Sequence, residues 1–405
     1  MRLFRLFILL SLLVPYWANA QNVPITALPF LEIPPSPGIN ALGGAGVALS
    51  TSDPHAFLYN PAQLGIAARE TRAAGTLYPG GSIDWLAVGD LSVGSTALTA
   101  GVDFRDSGLP LAAGVGLAQT ALHFGDRIFV NDEGEAVDSY EPLDRYYALS
   151  LGAATTGPLR LGIGSTVRHI STTDRVTFDG ETASATTLSG FSFDVGALAQ
   201  ADITSLFGNP LLGTASPRVV ASVGYSQSNI GGTISYSNQG TSSPMPRTAR
   251  LGWSLSAGFD MPLDDQTLRF LQGDFSVQAE HLLVREERRG SYTYEPFLGN
   301  LDIVRNGFLG RGDDTITARK GLRISLIETL SISRGQFDGW GFDDVETTGV
   351  EFHLAGPLKI LASILEDNRI AAFAQTYDVR FTHTSYFSRE ANESSFNGLT
   401  FVVKR

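Results

Sequence analysis

The chain contains no cysteine, so no disulfide holds it together and no thiol follows the leader to take a lipid. It also lacks a long apolar helix-forming run. The best internal stretch, Ser107 to Gly125, carries no charge but is interrupted by Gly108, Pro110, Gly114 and Gly116. That excludes it as one of the membrane helices of about 20 residues that a bilayer requires. Charge is scarce, at 17% Asp, Glu, Lys and Arg, against about 25% in an average soluble domain. The balance is acidic, −12 overall. The clustered Lys and Arg that bind phosphate backbones are missing, which excludes nucleic acid as a partner.

Catalytic motifs are absent too. The nearest approach to a nucleophile elbow, Gly252-Trp253-Ser254-Leu255-Ser256, lacks its closing glycine. There is no His-Glu-x-x-His, and the six histidines are widely scattered. Asp132, Glu133 and Glu135 lie close together but fit no calcium-loop spacing. Neither an enzyme nor a cofactor or metal site is expected.

What is present begins with a leader. Arg2 and Arg5 precede an apolar stretch from Leu6 to Val14, and Ala18-Asn19-Ala20 has the small-x-small form of a cleavage site. Residues 1–20 are therefore expected to be a signal peptide, with the exported chain starting at Gln21.

Through most of the remainder, apolar residues recur at every second position. Leu251, Trp253, Leu255, Ala257 and Phe259 alternate with Gly252, Ser254, Ser256, Gly258 and Asp260. Phe191, Phe193, Val195, Ala197 and Ala199 alternate with Ser192, Asp194, Gly196 and Gln200, with Leu198 the exception. The same pattern recurs from Leu271 to Leu283 and near Tyr147–Ala153, Leu159–Ile170, Val219–Tyr225, Leu322–Ile332, Val350–Leu354, Ala371–Phe381 and Leu399–Val403. Weaker candidates at Arg72–Tyr78, Ile83–Leu91, Thr96–Phe104 and Val115–Phe124 bring the expected strands to about fourteen. The interleaved set is Gly, Ser, Thr and Gln with mid-strand acids, which suits an enclosed polar lumen better than the wet face of a sandwich.

In hydrocarbon, only a helix or a closed barrel bonds all its own backbone groups. The expected fold is all-β: a transmembrane antiparallel barrel over 66–405, in the bacterial outer membrane with lipid as its partner. Mid-strand Asp194, Asp260, Asp274 and Glu280 are expected to pair in the lumen with Arg168, Arg250 or Arg323. Short turns such as Thr156-Gly157-Pro158 alternate with long polar loops, Gly125–Arg145 and Val284–Ala318, as barrels place them on opposite sides of the membrane.

Residues 21–65 differ. Pro24, Pro29, Pro34, Pro35 and Pro37 exclude a long helix or central strand. Then come Gly43-Gly44-Ala45-Gly46-Val47-Ala48 and Asn60-Pro61-Ala62. Small residues permit close backbone packing, and Asn60-Pro61 favours a turn. A dinucleotide fingerprint is excluded, because the sixth position from Gly44 is Leu49 and no strand precedes it. The segment reads as a compact hatch inside a barrel mouth, with Gly43, Gly44, Gly46, Asn60, Pro61 and Ala62 as its key residues.

With these motifs the chain resembles the PorV/PorQ family, itself similar to the long-chain fatty-acid transporter (FadL) barrels. A second similar stretch runs through Gly321-Leu322-Arg323, Glu328, Ser333-Arg334-Gly335 and Thr348-Gly349-Val350. The resemblance implies a fourteen-stranded barrel with an N-terminal hatch turned at Asn60, Pro61 and Ala62. It also implies a role in type IX-like secretion and surface attachment, with cargo proteins and other secretion components as partners. The FadL-like alternative is a channel for a hydrophobic ligand. The chain departs from many outer-membrane barrels in ending Phe401-Val402-Val403-Lys404-Arg405 rather than on an aromatic residue, which leaves the last strand's register open.

Overall fold

The computed structural model describes residues 26–33, 35–82, 91–130, 134–179, 182–206, 215–235, 242–264, 266–288, 291–339, 342–387 and 394–404. The leader expected at 1–20, most of Ile83–Leu91, and Asp132 and Glu133 lie outside them.

Fourteen antiparallel strands close into one barrel. They are β1 (Thr71–Ser82), β2 (Ser92–Asp103), β3 (Leu111–His123), β4 (Leu143–Thr155) and β5 (Leu159–Asp179). Next come β6 (Thr182–Asp202), β7 (Ser216–Ile230), β8 (Thr248–Leu263), β9 (Gln266–Leu282) and β10 (Ile316–Leu326). β11 (Leu330–Gly339), β12 (Phe342–His353), β13 (Tyr377–Phe387) and β14 (Ser394–Lys404) complete the ring, and β14 pairs back onto β1.

The alternation sorts side chains between two environments. On β6, Phe191 and Phe193 are more than half exposed on the outer wall, while Ser192, Asp194 and Gln200 are buried inside. Leu149, Leu151, Ile163, Ile332 and Phe381 extend the exposed apolar band round the barrel. A closed sheet with such a band is a transmembrane outer-membrane barrel: lipid covers the apolar face, and the ladder bonds every spanning strand to two neighbours. Leu198, the residue that broke the alternation, faces inward and packs with Val47, Ala62 and Ile66 of the N-terminal segment.

Two expected strands are corrected. Leu322–Ile332 is not one strand but the end of β10 and the start of β11. Ile327 and Glu328 turn the chain there with φ of 56° and 46°. Ala371–Phe381 begins as helix, because Asp367 caps Asn368–Thr376 by accepting the Arg369 and Ile370 N–H groups at 2.8 and 3.3 Å. Apolar residues at 371, 373 and 377 suit either period over so short a run. The expected strand number thus equals the observed one, although the two sets differ. The last strand's register is settled by Phe401 opposite Gly75, its ring outside.

The connections 124–142, 231–247 and 283–315 share one end of the barrel with the long hairpin formed by the 21-residue strands β5 and β6. That end faces outward from the cell by the usual loop asymmetry. Residues 297–308 of the connection 283–315 lie down on the outer wall. Trp253 stacks on Phe308 at 5.6 Å and donates to its carbonyl at 3.0 Å, and the Tyr225 hydroxyl donates to Phe297 O at 2.6 Å. The opposite, periplasmic end carries tight turns at 156–158 and 327–329. It also carries one helical pair, α1 (Ala355–Leu365) and α2 (Asn368–Thr376).

Leu149 sits mid-strand on β4 with its side chain outside. Leu149→Arg is expected to destabilise the barrel by about 2–4 kcal/mol, measured by reversible denaturant unfolding in lipid vesicles, whereas Ser107→Arg in a periplasmic turn is expected to be near neutral.

Candidate functional site: the lumen and the segment that fills it

The described residues 26–68 run inside the barrel. Their irregular backbone finds hydrogen bonds on the inward-facing side chains of the wall, the only place in a membrane where such backbone is tolerated. Gln278 Oε1 accepts the N–H groups of Gly46 and Val47 at 3.1 and 2.9 Å. Thr347 Oγ1 accepts Gly43 N–H at 3.0 Å and donates to Ala41 O at 3.2 Å. Ser254, Ser226 and Thr384 donate to the carbonyls of Ala48, Tyr59 and Pro37 at 2.7 Å each.

Glycines set how close the segment comes. Gly43 has φ +65°, and a Cβ there would lie 2.7 Å from Gln336 O. On the wall, a Cβ on Gly335 would lie 2.0 Å from Gly43 N, and Gly321 and Gly349 touch Leu42 and Ala41 in the same manner. The two sequence stretches that carried the family resemblance are therefore in contact. Gly44 (φ +77°) stands against Arg319, and Gly46 against Ile39 and Tyr59. Asn60 is fully buried and ties three parts together. Its Nδ2 donates to Val47 O at 2.9 Å and to Ala197 O on β6 at 3.0 Å, while its Oδ1 accepts Ala62 N–H at 3.1 Å. Pro61 lies on Gly152 and Gly164 of β4 and β5, and Ala62 packs on Leu198.

The mid-strand acids divide. Asp194 pairs with Arg168 at 2.6 Å and Glu280 with Arg250 at 2.9 Å, and Arg319 also reaches Glu280 at 3.4 Å. Asp260 instead pairs with Arg269 at 3.0 Å, and Asp274 accepts from Ser256 and Gln272. Arg323 donates to Gly38 O at 2.9 Å, so it holds the segment rather than an acid. Buried charges are tolerated when paired and fully bonded, and here several of those bonds end on the segment's backbone.

Along the axis the lumen has three layers. The outer layer is apolar: Tyr78, Val93, Leu122, Phe337, Tyr386 and Phe396 of the wall form one cluster with Leu28, Phe30, Leu31 and Ile33 of the segment. The middle layer is the glycine and hydrogen-bond zone. The periplasmic layer is a charged vestibule of about 320 Å³, lined in part by Arg218, Arg269, Glu351, His353, Arg380 and Lys404. At the seam, the β1–β14 pairs among the described residues run to Leu77 opposite Leu399, while β14 continues on β13 to Ser394. Tyr78 and Phe396, ring centroids 5.7 Å apart, stand inside the wall there. Sequence reasoning missed the segment's hydrogen-bond partners Gln278, Thr347 and Ser254. Their only linear signal is the inward phase of their strands.

Two titratable groups of the segment are perturbed. Burial lowers His55 from 6.5 to about 4 despite nearby Asp53, and its Nε2 lies 2.7 Å from Ser95 Oγ. Burial, then the charge of Glu280, raises Glu32 to about 7 against the pull of Arg250 and Arg319.

No protein-family model matches the chain and no curated protein matches it. Similar solved structures include the CymD monoaromatic hydrocarbon channel, with 13% identity, 91% of this chain and 97% of that chain covered, and a TM-score of 0.42. The P. putida toluene transporter TodX is 9% identical over 90% and 96%, with a TM-score of 0.38. A Pseudomonas aeruginosa FadL homologue is 10% identical over 91% and 97%, also at 0.38. Likeness at this level carries no argument about family, ligand or cargo, and it gives the PorV/PorQ part of the resemblance no support.

Gly335→Val forces the wall against Gly43 N. The barrel is expected to remain heat-modifiable on gels, while docking of the segment weakens by about 1–3 kcal/mol, seen as new protease cleavage within 26–68. The Glu32 carboxyl, raised on docking, favours the docked segment at low pH and loses that contribution as pH rises through about 7. Hydrogen exchange of the 27–33 amides, corrected for intrinsic rate, should accelerate between pH 5 and 8, and Glu32→Gln should abolish the difference.

Proposed function

We propose that this barrel admits hydrophobic small molecules from outside the cell into the outer layer of its lumen, where residues 27–33 act as a displaceable stopper. One observation carries the reading. A lumen built to pass water-soluble solutes is polar, yet the outer third of this one is an apolar cluster whose central places are taken by Leu28, Phe30, Leu31 and Ile33 of the chain itself. An apolar molecule entering there exchanges one set of apolar contacts for another, so opening costs little beyond moving the segment. The β1–β14 pairs among the described residues end beside Tyr78 and Phe396, which supports a lateral path between this layer and the membrane. The charged vestibule below does not suit an apolar solute at rest, so release to the periplasm requires passage along Ala27–Ile33 and the middle zone.

The secretion reading, with cargo proteins docked on large free outer loops, gains no support from the lumen. Residues 297–308 of the connection 283–315 lie against the wall instead.

Uptake of a radiolabelled monoaromatic hydrocarbon and of a long-chain fatty acid is to be compared in cells with and without the gene. Loss of uptake of at least one, restored by the wild-type gene, is the expected result. Phe30→Ala, which removes about 3–5 kcal/mol of packing from the stopper, is expected to raise the uptake rate. Unchanged uptake of both probes, with exported proteins trapped in the periplasm, would sink the proposal in favour of secretion.

A further inference from the structure

The helix α1 crosses the periplasmic rim with its two faces in different surroundings. Lys359 points inward, where its Nζ donates to Thr267 O at 2.7 Å and pairs with Glu328 at 2.6 Å. Ser363 donates to Asp264 on the same side, and Gly356 N–H donates to Glu328 O at 3.1 Å. These contacts fix the helix beneath Asp264 and the turn at 327–329. The opposite face carries Pro357, Ile360, Leu361 and Ile364, spaced as one helical stripe. Ile364 is 73% exposed and Leu361 42%, an arrangement that water disfavours.

This stripe does not stand alone. With Leu326, Ile327 and Leu330 of the barrel wall it lines a groove of about 530 Å³ on the outer side of the barrel. Leu326 and Leu330 are the periplasmic ends of the rows Leu322–Ile324–Leu326 and Leu330–Ile332, which face lipid. The groove therefore continues the lipid-facing band round the lower edge of the wall. An aromatic pair marks the same level: Phe373 of α2 and Tyr377 at the start of β13, both about half exposed, with ring centroids 5.0 Å apart. Aromatic girdles of this kind sit where hydrocarbon meets the headgroups. A helix satisfies its own backbone, so α1 can face acyl chains where an irregular loop cannot. The chain then turns at Glu366, φ 51°, into α2, whose Asp367, Asn368 and Arg369 return to water.

We infer that α1 is an interfacial helix embedded in the periplasmic leaflet of the membrane, and that the groove between it and Leu326 and Leu330 holds a phospholipid acyl chain. Such a helix lies in the membrane plane with its apolar face sunk among the chains. Here it is tied through Lys359 to the mouth of the charged vestibule, so lipid on one face and the lumen opening on the other share one rigid element. The inference rests on the barrel and its apolar band, not on what the lumen passes.

Because the chain has no cysteine, a nitroxide can be placed at one introduced thiol. Ile364→Cys is to be labelled in the full-length barrel, in vesicles of phosphatidylethanolamine and phosphatidylglycerol. Leu149→Cys serves as the lipid-facing reference and Ser107→Cys as the aqueous one. The label at 364 is expected to collide freely with oxygen, as at 149, and to be shielded from a water-soluble nickel complex. Nickel accessibility equal to that at 107 overturns the inference. Shielding from both reagents overturns it too, since a second copy or another protein would then cover the helix. Heat-modifiable migration of all three variants confirms that each reading comes from a folded barrel.

Discussion

Everything in this molecule follows from one constraint, that a backbone amide or carbonyl in hydrocarbon has no water to bond. The spanning strands meet it with one another, and the sheet must close because an open edge would leave a whole row unpaired. Closure creates an interior, and that interior must itself be filled or wetted. Here it is filled by the chain's own N-terminal segment, whose irregular backbone needs partners too. Inward Gln, Thr and Ser side chains supply them, and wall glycines let the segment approach near enough for the bonds to form.

The same constraint explains the asymmetry between the two ends. Outside, the connection 283–315 leans on the wall through Trp253 and Tyr225. On the periplasmic side the connection 354–376 folds as two helices, and the first leaves its apolar stripe facing outward. A helix is the only open-ended element that can rest against lipid without stranding backbone groups. Its sequence, rich in Leu and Ile, is intelligible once its surroundings are acyl chains.

The lumen is layered by chemistry. Apolar rings lie outermost, hydrogen-bonded small residues in the middle, and charge faces the periplasm. A water-filled pore has no use for the first layer, which Phe30 and Leu31 help to fill here. Burial and the charge of Glu280 raise the Glu32 carboxyl, so the seating of residues 27–33 is sensitive to proton concentration near neutrality.

The fold class was legible because a barrel wall writes a local rule into the chain: alternate residues face two solvents, and Phe191, Ser192, Phe193 and Asp194 carry that rule one residue at a time. Where the rule failed the cause was equally physical. Over a few residues an apolar spacing of two cannot be told from one turn of helix, so Ala371–Thr376 read as strand, and a turn made by Ile327 and Glu328 has no glycine or proline to announce it. Gly43, Gly46 and Asn60 stood out as small or turn-forming residues in an odd place. That Gly335 seats Gly43, that Gly321 and Gly349 seat Leu42 and Ala41 and Gly196 seats Asn60, that Leu198 faces inward, and that Leu28 to Ile33 fill an apolar chamber were decided only in three dimensions. Those contacts join residues hundreds of positions apart, and shear and closure of the sheet, which no short stretch encodes, bring them level.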